Sequence, residues 1–175
     1  MSIHDLTAGK EPPHDIYVVV ENPRHVVGVK YEMDHDTGMI FVDRFAPMPM
    51  AFPAHYGFIN NTLGGDGDPV DAFVYTDIPV VPGAVVRCRP VGVLLTTDES
   101  GEDAKLICVP HKKLDPRFEN IQNYTDLPEL FIKQLEQFYM HYKNLEAGKW
   151  VKCAGWGDAK KAMEIVAKGI EDAKK

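Results

Sequence analysis

From Ala84 to Pro110 the chain reads AVVRCRPVGVLLTTDESGEDAKLICVP. Two runs dense in Val, Leu, Ile and Cys flank a charged, glycine-containing middle, the composition of strands joined by a hairpin tip. Similar runs precede it in DIYVVVENP, VVGVKYEMD, GMIFVDRFA and DAFVYTDIPVV. Residues 34–38, DHDTG, have the makings of a turn between two of these strands. The first two thirds of the chain therefore read as short strands. The period then changes. From Asp126, apolar residues fall at Leu127, Phe131, Leu135, Phe138, Tyr142 and Leu145, in helical steps of three and four. Asp126 and Glu129 have the spacing of a capping box, Pro128 suits a first turn, and Gly148 supplies the stop. A second helix is expected from Asp158, with Ala162, Ile165, Val166 and Ile170 on one face. Many short strands followed by two helices predict an α+β fold, mainly β, in which a small barrel carries two C-terminal helices packed outside it. No repeat, low-complexity run or linker divides residues 1–175, so a single domain is expected.

With 45% hydrophobic and 26% charged residues, the 175-residue chain has an ordinary globular composition and enough length for a core. A net charge of −7 argues against nucleic acid or an anionic membrane surface as a partner. Cys88, Cys108 and Cys153 are odd in number and lack a CxxC spacing, which predicts free, buried thiols in a reducing compartment. The N-terminus MSIHDLTAGK shows no signal-peptide pattern, and no apolar run reaches the ~20 residues of a membrane span. A cytoplasmic location is the expectation.

The chemistry gathers in two acidic turns. In GGDGDPVDAFV, residues 64–74, Asp66, Asp68 and Asp71 crowd the entrance of an apolar run. Gly67 permits a tight turn and Pro69 stiffens it, so the carboxylates are held close despite their repulsion. Period-two alternation places Asp71 on the face of Phe73 and Tyr75. The spacing does not match a calcium-binding loop, because Asp71 stands where that loop needs Gly and Asp77 where it needs Glu. TTDESGEDAK adds Asp98, Glu99, Glu102 and Asp103, followed by Lys105. Alone it reads as a solvated hairpin tip. If the two turns converge at one end of a barrel, they offer an all-oxygen site suited to Mg²⁺ or Mn²⁺. Lys30 and Glu32 share a strand face, Arg44 follows Asp43 within a strand, and Lys143 lies beside Tyr142. Each of these has a plain structural reading as surface charge or core. Together, carboxylates, cations and tyrosines without a nucleophilic Ser or Cys suit phosphoryl transfer.

The order DGDPVD, flanked by VVVENP, KYEMD, FVDRF, PAHYGFINNTLGG, GEDAKLICVP and HYKNLEAGKWVKCAGW, resembles the family I soluble inorganic pyrophosphatases, in their short bacterial form, from Glu21 through Trp156. The resemblance implies a five-stranded OB-type β-barrel with two outer helices, a hexameric assembly, and hydrolysis of inorganic diphosphate to two phosphates. It implies a Mg²⁺ cofactor, replaceable by Mn²⁺ or another divalent ion, and an activated hydroxide bridging two ions. Asp66, Asp71 and Asp103 would ligate the activating ion, with Asp71 shared by a second; Asp68 would be the general base. Asp98 and Asp103 would hold a further ion arriving with substrate, and Glu32 another, with Glu21 in its outer shell. Lys30, Arg44, Tyr56, Tyr142 and Lys143 would grip phosphate, and Lys105 would sit at the metal end. One departure is Phe52, where relatives often carry Tyr, which removes a hydroxyl near the carboxylates.

Two other readings stand beside this one. The same chemistry could act on tripolyphosphate or a nucleoside triphosphate, although no GxxxxGK[ST] loop is present. An OB-type barrel could instead bind single-stranded nucleic acid or Ca²⁺, against which the net charge and the acidic turns weigh.

Overall fold

The computed structural model describes residues 3–175. Strands β1 (Gly9–Glu11), β2 (Asp15–Asn22), β3 (Lys30–Asp34), β4 (Met39–Arg44), β5 (His55–Phe58) and β6 (Asp71–Val74) come first. They are followed by β7 (Val85–Asp98), β8 (Gly101–Glu102), β9 (Lys105–Pro110), helix α1 (Glu129–His141), β10 (Val151–Asp158) and helix α2 (Ala159–Asp172). Because β2 pairs with both β5 and β7, the sheet closes into the five-stranded ring β2-β5-β6-β9-β7. All its pairings are antiparallel except β6 with β9. This is the mainly-β barrel expected, OB-like in architecture, and β3 and β4 form a separate hairpin beside it.

Alternation along the strands sorts the apolar side chains into two layers. Ile16, Val18, Val20, Ile59, Ala72, Val74, Cys88, Val93, Leu106 and Cys108 meet in the barrel interior, and α2 adds Ala162 and Val166 to them. On one outer face, Phe73, Leu94, Ile107 and Val109 pack under Phe131, Leu135, Phe138 and Tyr139 of α1. Cys88 and Cys108 are buried and Cys153 half-buried, all three as free thiols. At residues 34–38 the expected turn is present: the Thr37 N–H and hydroxyl donate to Asp34 Oδ1 at 2.7 and 2.9 Å. Asp158 caps α2 by accepting from the Lys161 N–H at 2.8 Å, as its position in the sequence suggests.

The last third departs from expectation in three ways. Asp126 does not cap α1; its carboxylate accepts from the Gln122 and Asn123 N–H groups and closes a short 3₁₀ turn, while Pro128 stands at the N-cap without a side-chain bond. Local side-chain bonds to the backbone have outcompeted the cap. The helix stops at His141 rather than Gly148, and Leu145, expected on the apolar stripe, is 64% exposed. Residues 142–149 form turns whose charged side chains are engaged elsewhere, as described below. Finally, a strand separates the helices: β10 pairs along the C-terminal half of β7, with an irregular register between Cys153 and Gly155. Its two glycines and single β-branched residue gave little strand signal.

Candidate active site

Loop 64–71 enters β6 through a tight turn. Gly67 adopts φ +96°, the Asp68 N–H donates to Asp66 Oδ1 at 3.1 Å, and the Gly64 N–H donates to the Asp68 carbonyl at 2.6 Å. Asp71 opens the strand, with Phe73 and Tyr75 on its face under α1 and Val70, Ala72 and Val74 turned into the barrel. The second acidic turn joins β7 to β9. A Cβ on Gly65 would lie 2.8 Å from the Glu102 carbonyl oxygen, so the backbones of the two turns touch where only glycine fits. Asp66, Asp71, Glu102 and Asp103 accordingly line one cavity of about 540 Å³. The hairpin tip is not merely solvated: the turns converge.

Between them sits Lys105. The parallel register of β6 and β9 sets Asp71 opposite Lys105, and its ammonium donates to the carboxylates of both Asp71 and Asp103. Lys105 is 3% exposed, with the rings of Tyr56 and Tyr139 at 5.8 and 5.6 Å from its Nζ. Burial works against the ammonium, yet Asp71 and Asp103 outweigh it and raise its pKa. One cation does not neutralise the whole cluster. Burial pushes the Asp103 carboxyl up to about 6, with Asp71 adding to the rise against Lys105. Asp66 is raised as well, first by burial and then by the Asp103 charge. Glu21, which accepts from the Met33 N–H at 2.8 Å, is pushed up to about 8 by burial and by Asp71.

The other expected cations and hydroxyls have carboxylate or aromatic partners of their own, and Lys30, Arg44 and Tyr142 line a separate small hollow. Lys30 Nζ meets Glu32 at 2.6 Å and Asp43 at 3.3 Å on the β3–β4 hairpin. Arg44 pairs with Asp43 at 2.7 Å and with Glu146 at 3.2 Å. Lys143 holds Asp98 at 2.8 Å, and with the Ser100 N–H it keeps that carboxyl below its usual range despite burial. Tyr142 stacks on Phe138 at 5.1 Å; burial, then Asp103 and Asp71, raise its hydroxyl pKa, while Lys105 and Arg44 oppose. Tyr142 thus lies in the electrostatic reach of both the acidic centre and Arg44. Phe52 packs between Tyr56 and Phe138 at 5.7 and 5.0 Å, filling with apolar contact the place where a hydroxyl is lacking.

The expected residues are not all gathered equally. Asp66, Asp71, Asp103 and Lys105 come together, and Tyr56 adjoins them. Asp68 is exposed at the loop tip, outside the residues lining the acidic cavity, and Asp98 is turned to Lys143. Among the described residues no ready-made group of three His, Cys, Asp or Glu side chains stands at metal-holding geometry, because Asp71 and Asp103 are drawn onto Lys105. The donor chemistry nonetheless fits a hard divalent ion: the cluster offers carboxylate oxygens alone, from groups whose pKa is raised chiefly by burial and then by one another's charge. Asp66, Asp71 and Asp103 could hold such an ion. Two neighbours were not singled out from the sequence as site residues: Tyr139 and Glu146. Tyr139 falls four residues after Leu135, so helical spacing places it on the packed face.

The model of the inorganic pyrophosphatase family matches residues 18–174. The chain belongs to the inorganic pyrophosphatase family. An inorganic pyrophosphatase of Yersinia pestis is 53% identical over 175 residues, covering 100% of both chains. One of Escherichia coli (strain K12) is 52% identical over 174 residues, covering 99% of each. The crystal structure of the inorganic pyrophosphatase from Thermus thermophilus superposes with a TM-score of 0.93 at 43% identity, covering 100% of both chains. Membership makes this chain a diphosphatase-class hydrolase, and its barrel is the fold of its pyrophosphatase relatives. No helix among the described residues is long and apolar enough to cross a membrane.

Proposed function

We propose that the chain hydrolyses inorganic diphosphate to two phosphates with Mg²⁺ as its working ion, acting as one domain over residues 1–175. The observation that carries this reading is the meeting of the two acidic turns around Lys105, with the Tyr142 hydroxyl feeling the charges of Asp71 and Asp103 and Lys143 paired with Asp98. Asp66, Asp71 and Asp103 would hold the activating ion, with Asp71 also available to a second, and Asp98 with Asp103 would serve one that enters with substrate. Glu32 reaches another, with Glu21 behind it. Bound divalent ions supply Lewis-acid polarisation of phosphoryl oxygens and lower the pKa of the attacking water from 15.7 toward ~7.

The remaining work falls to side chains of this chain. Asp68, exposed at the tip of a stiff turn, is free to accept the proton of the attacking water. That oxygen bonds to one phosphorus as the bond from phosphorus to the bridging oxygen breaks. Lys30, Arg44, Tyr56, Tyr142 and Lys143 orient the two phosphate groups and offset the charge that builds on the leaving one. Lys105 keeps Asp71 and Asp103 from repelling each other. Assembly into a hexamer is part of the proposal; Phe45 and Val81, 79% and 70% exposed, are apolar side chains that neighbouring copies would cover. The proposed compartment is the cytoplasm, which the three free thiols support. Phosphate release from diphosphate in Mg²⁺, measured beside tripolyphosphate and ATP, tests the reading. Diphosphate should be turned over fastest, and no release from it would end the proposal.

A further inference from the structure

Glu146 has no part in the account so far, yet the fold does something specific with it. After α1 ends at His141, the chain makes successive turns, with the Glu146 N–H donating to the Lys143 carbonyl at 2.9 Å and the Lys149 N–H to the Glu146 carbonyl at 3.2 Å. This segment is pinned to the acidic turn at both ends. Lys143 reaches Asp98 and Glu99 at 2.8 and 3.6 Å, and Lys149 reaches Glu99 at 2.8 Å. Held there, Glu146 projects toward the β3–β4 hairpin, and its side chain is only 14% exposed. Its carboxylate forms an ion pair with Arg44 Nη2 at 3.2 Å beside a small hollow also lined by Lys30 and Tyr142.

Arg44 needs that partner. Its Nη1 is tied to Asp43, the residue beside it, and its Nε is buried with no hydrogen-bond acceptor. Without Glu146 the guanidinium would keep a single tether from its own strand and could swing about the side chain. With Glu146, two carboxylates on different elements fix the plane of the fork, the geometry that planar recognition of a phosphate demands. We infer that Glu146 is a positioning residue, which sets the Arg44 guanidinium for a phosphate group and couples the β3–β4 hairpin to the segment after α1. The inference rests on the proposed role of Arg44. One effect opposes it: a carboxylate beside Arg44 drains positive charge and by itself would weaken anion binding. Substitutions at Glu146 separate the two.

Steady-state kinetics on diphosphate in Mg²⁺ are compared for the wild type, Glu146→Ala, Glu146→Gln, Arg44→Ala and the double variant Arg44→Ala/Glu146→Ala. Positioning predicts that Glu146→Ala raises KM severalfold with kcat changed by less than about twofold, the scale of one lost, partly buried ion-pair contact. Glu146→Gln, which keeps the size of the side chain and loses the charge that attracts Arg44, should raise KM in the same direction. In the Arg44→Ala background, loss of Glu146 should add nothing further. Should the alanine chain fail to fold, Glu146→Met keeps the volume and removes the acceptor. An unchanged or lowered KM in Glu146→Ala, or a rise that persists without Arg44, overturns the inference. If Arg44→Ala itself leaves KM unchanged, the role of Arg44 fails first, and the positioning of a phosphate ligand by Glu146 falls with it.

Discussion

Replacing Lys105 with Met removes one buried charge while nearly keeping the volume, so little of the effect comes from a cavity. What remains are Asp71 and Asp103, both drawn onto the lost ammonium and now facing each other in a site where Lys105 was 3% exposed. Breaking a buried ion pair by deleting one partner costs about 3–5 kcal/mol, chiefly because the survivor stays buried and charged. Two survivors would push toward the upper end. Proton uptake limits this, since Asp103 already sits at about 6 and takes a proton readily. The balance favours a loss of about 3 kcal/mol. Denaturant unfolding at neutral pH in EDTA measures it from the midpoint at constant slope. Repeating the titration in saturating Mg²⁺ should narrow the gap between variant and wild type, because divalent ions then provide the missing countercharge. A Lys105→Met chain as stable as wild type in EDTA would refute the reasoning, since the ammonium would then not be what reconciles the two carboxylates.

Other outcomes follow from the same structure. Asp68→Asn should lower the rate of diphosphate hydrolysis by roughly 10²–10⁴-fold, the usual worth of a general base, and leave the melting temperature unchanged because Asp68 is exposed. Leu135 of α1 is fully buried against the barrel, so Leu135→Ala should cost about 2–5 kcal/mol in denaturant unfolding. Asp15 tests pH dependence. Hydrogen bonds from Arg87 hold its carboxyl below the usual range, and its unfolded value is ~3.9. A depressed folded pKa stabilises above the unfolded value and loses that contribution as pH falls through the folded one. Asp15→Asn should therefore lower the melting temperature at neutral pH, with the difference from wild type shrinking as pH falls below the unfolded value of ~3.9 and through the lower folded one. A constant difference across that range would assign the effect to packing.

Much of this was legible before any coordinates. Four of the five barrel strands declared themselves through apolar, β-branched runs, whereas β5, HYGF, has no β-branched residue and gave no such signal. Asp158 marked the start of α2 where the structure caps it. Alternation placed Asp71 with Phe73 and Tyr75, as found. What escaped were features set by tertiary partners. β10, VKCAGWGD, carries two glycines and no apolar alternation, and it is a strand because the long β7 offers an unpaired edge. The end of α1 is fixed by Lys143 and Glu146 reaching Asp98 and Arg44, contacts more than forty residues away in sequence that no local period encodes. The site shows the same division. Carboxylate spacing and glycine content signalled the acidic turns, but the ammonium of Lys105 between Asp71 and Asp103 depends on the parallel register of β6 and β9. That register cannot be read from either strand alone.

The central claim is that carboxylates from two separate turns act on shared divalent ions. Calorimetric titration of Mn²⁺ into the wild type, Asp66→Asn, Asp103→Asn and the double variant tests it most directly. Each single change should weaken Mn²⁺ uptake strongly, and the double variant should lose little more than either alone, because one shared ion has already been lost. Uptake that survives Asp103→Asn unchanged, or losses that simply add, would mean the two turns bind separately and would contradict the account.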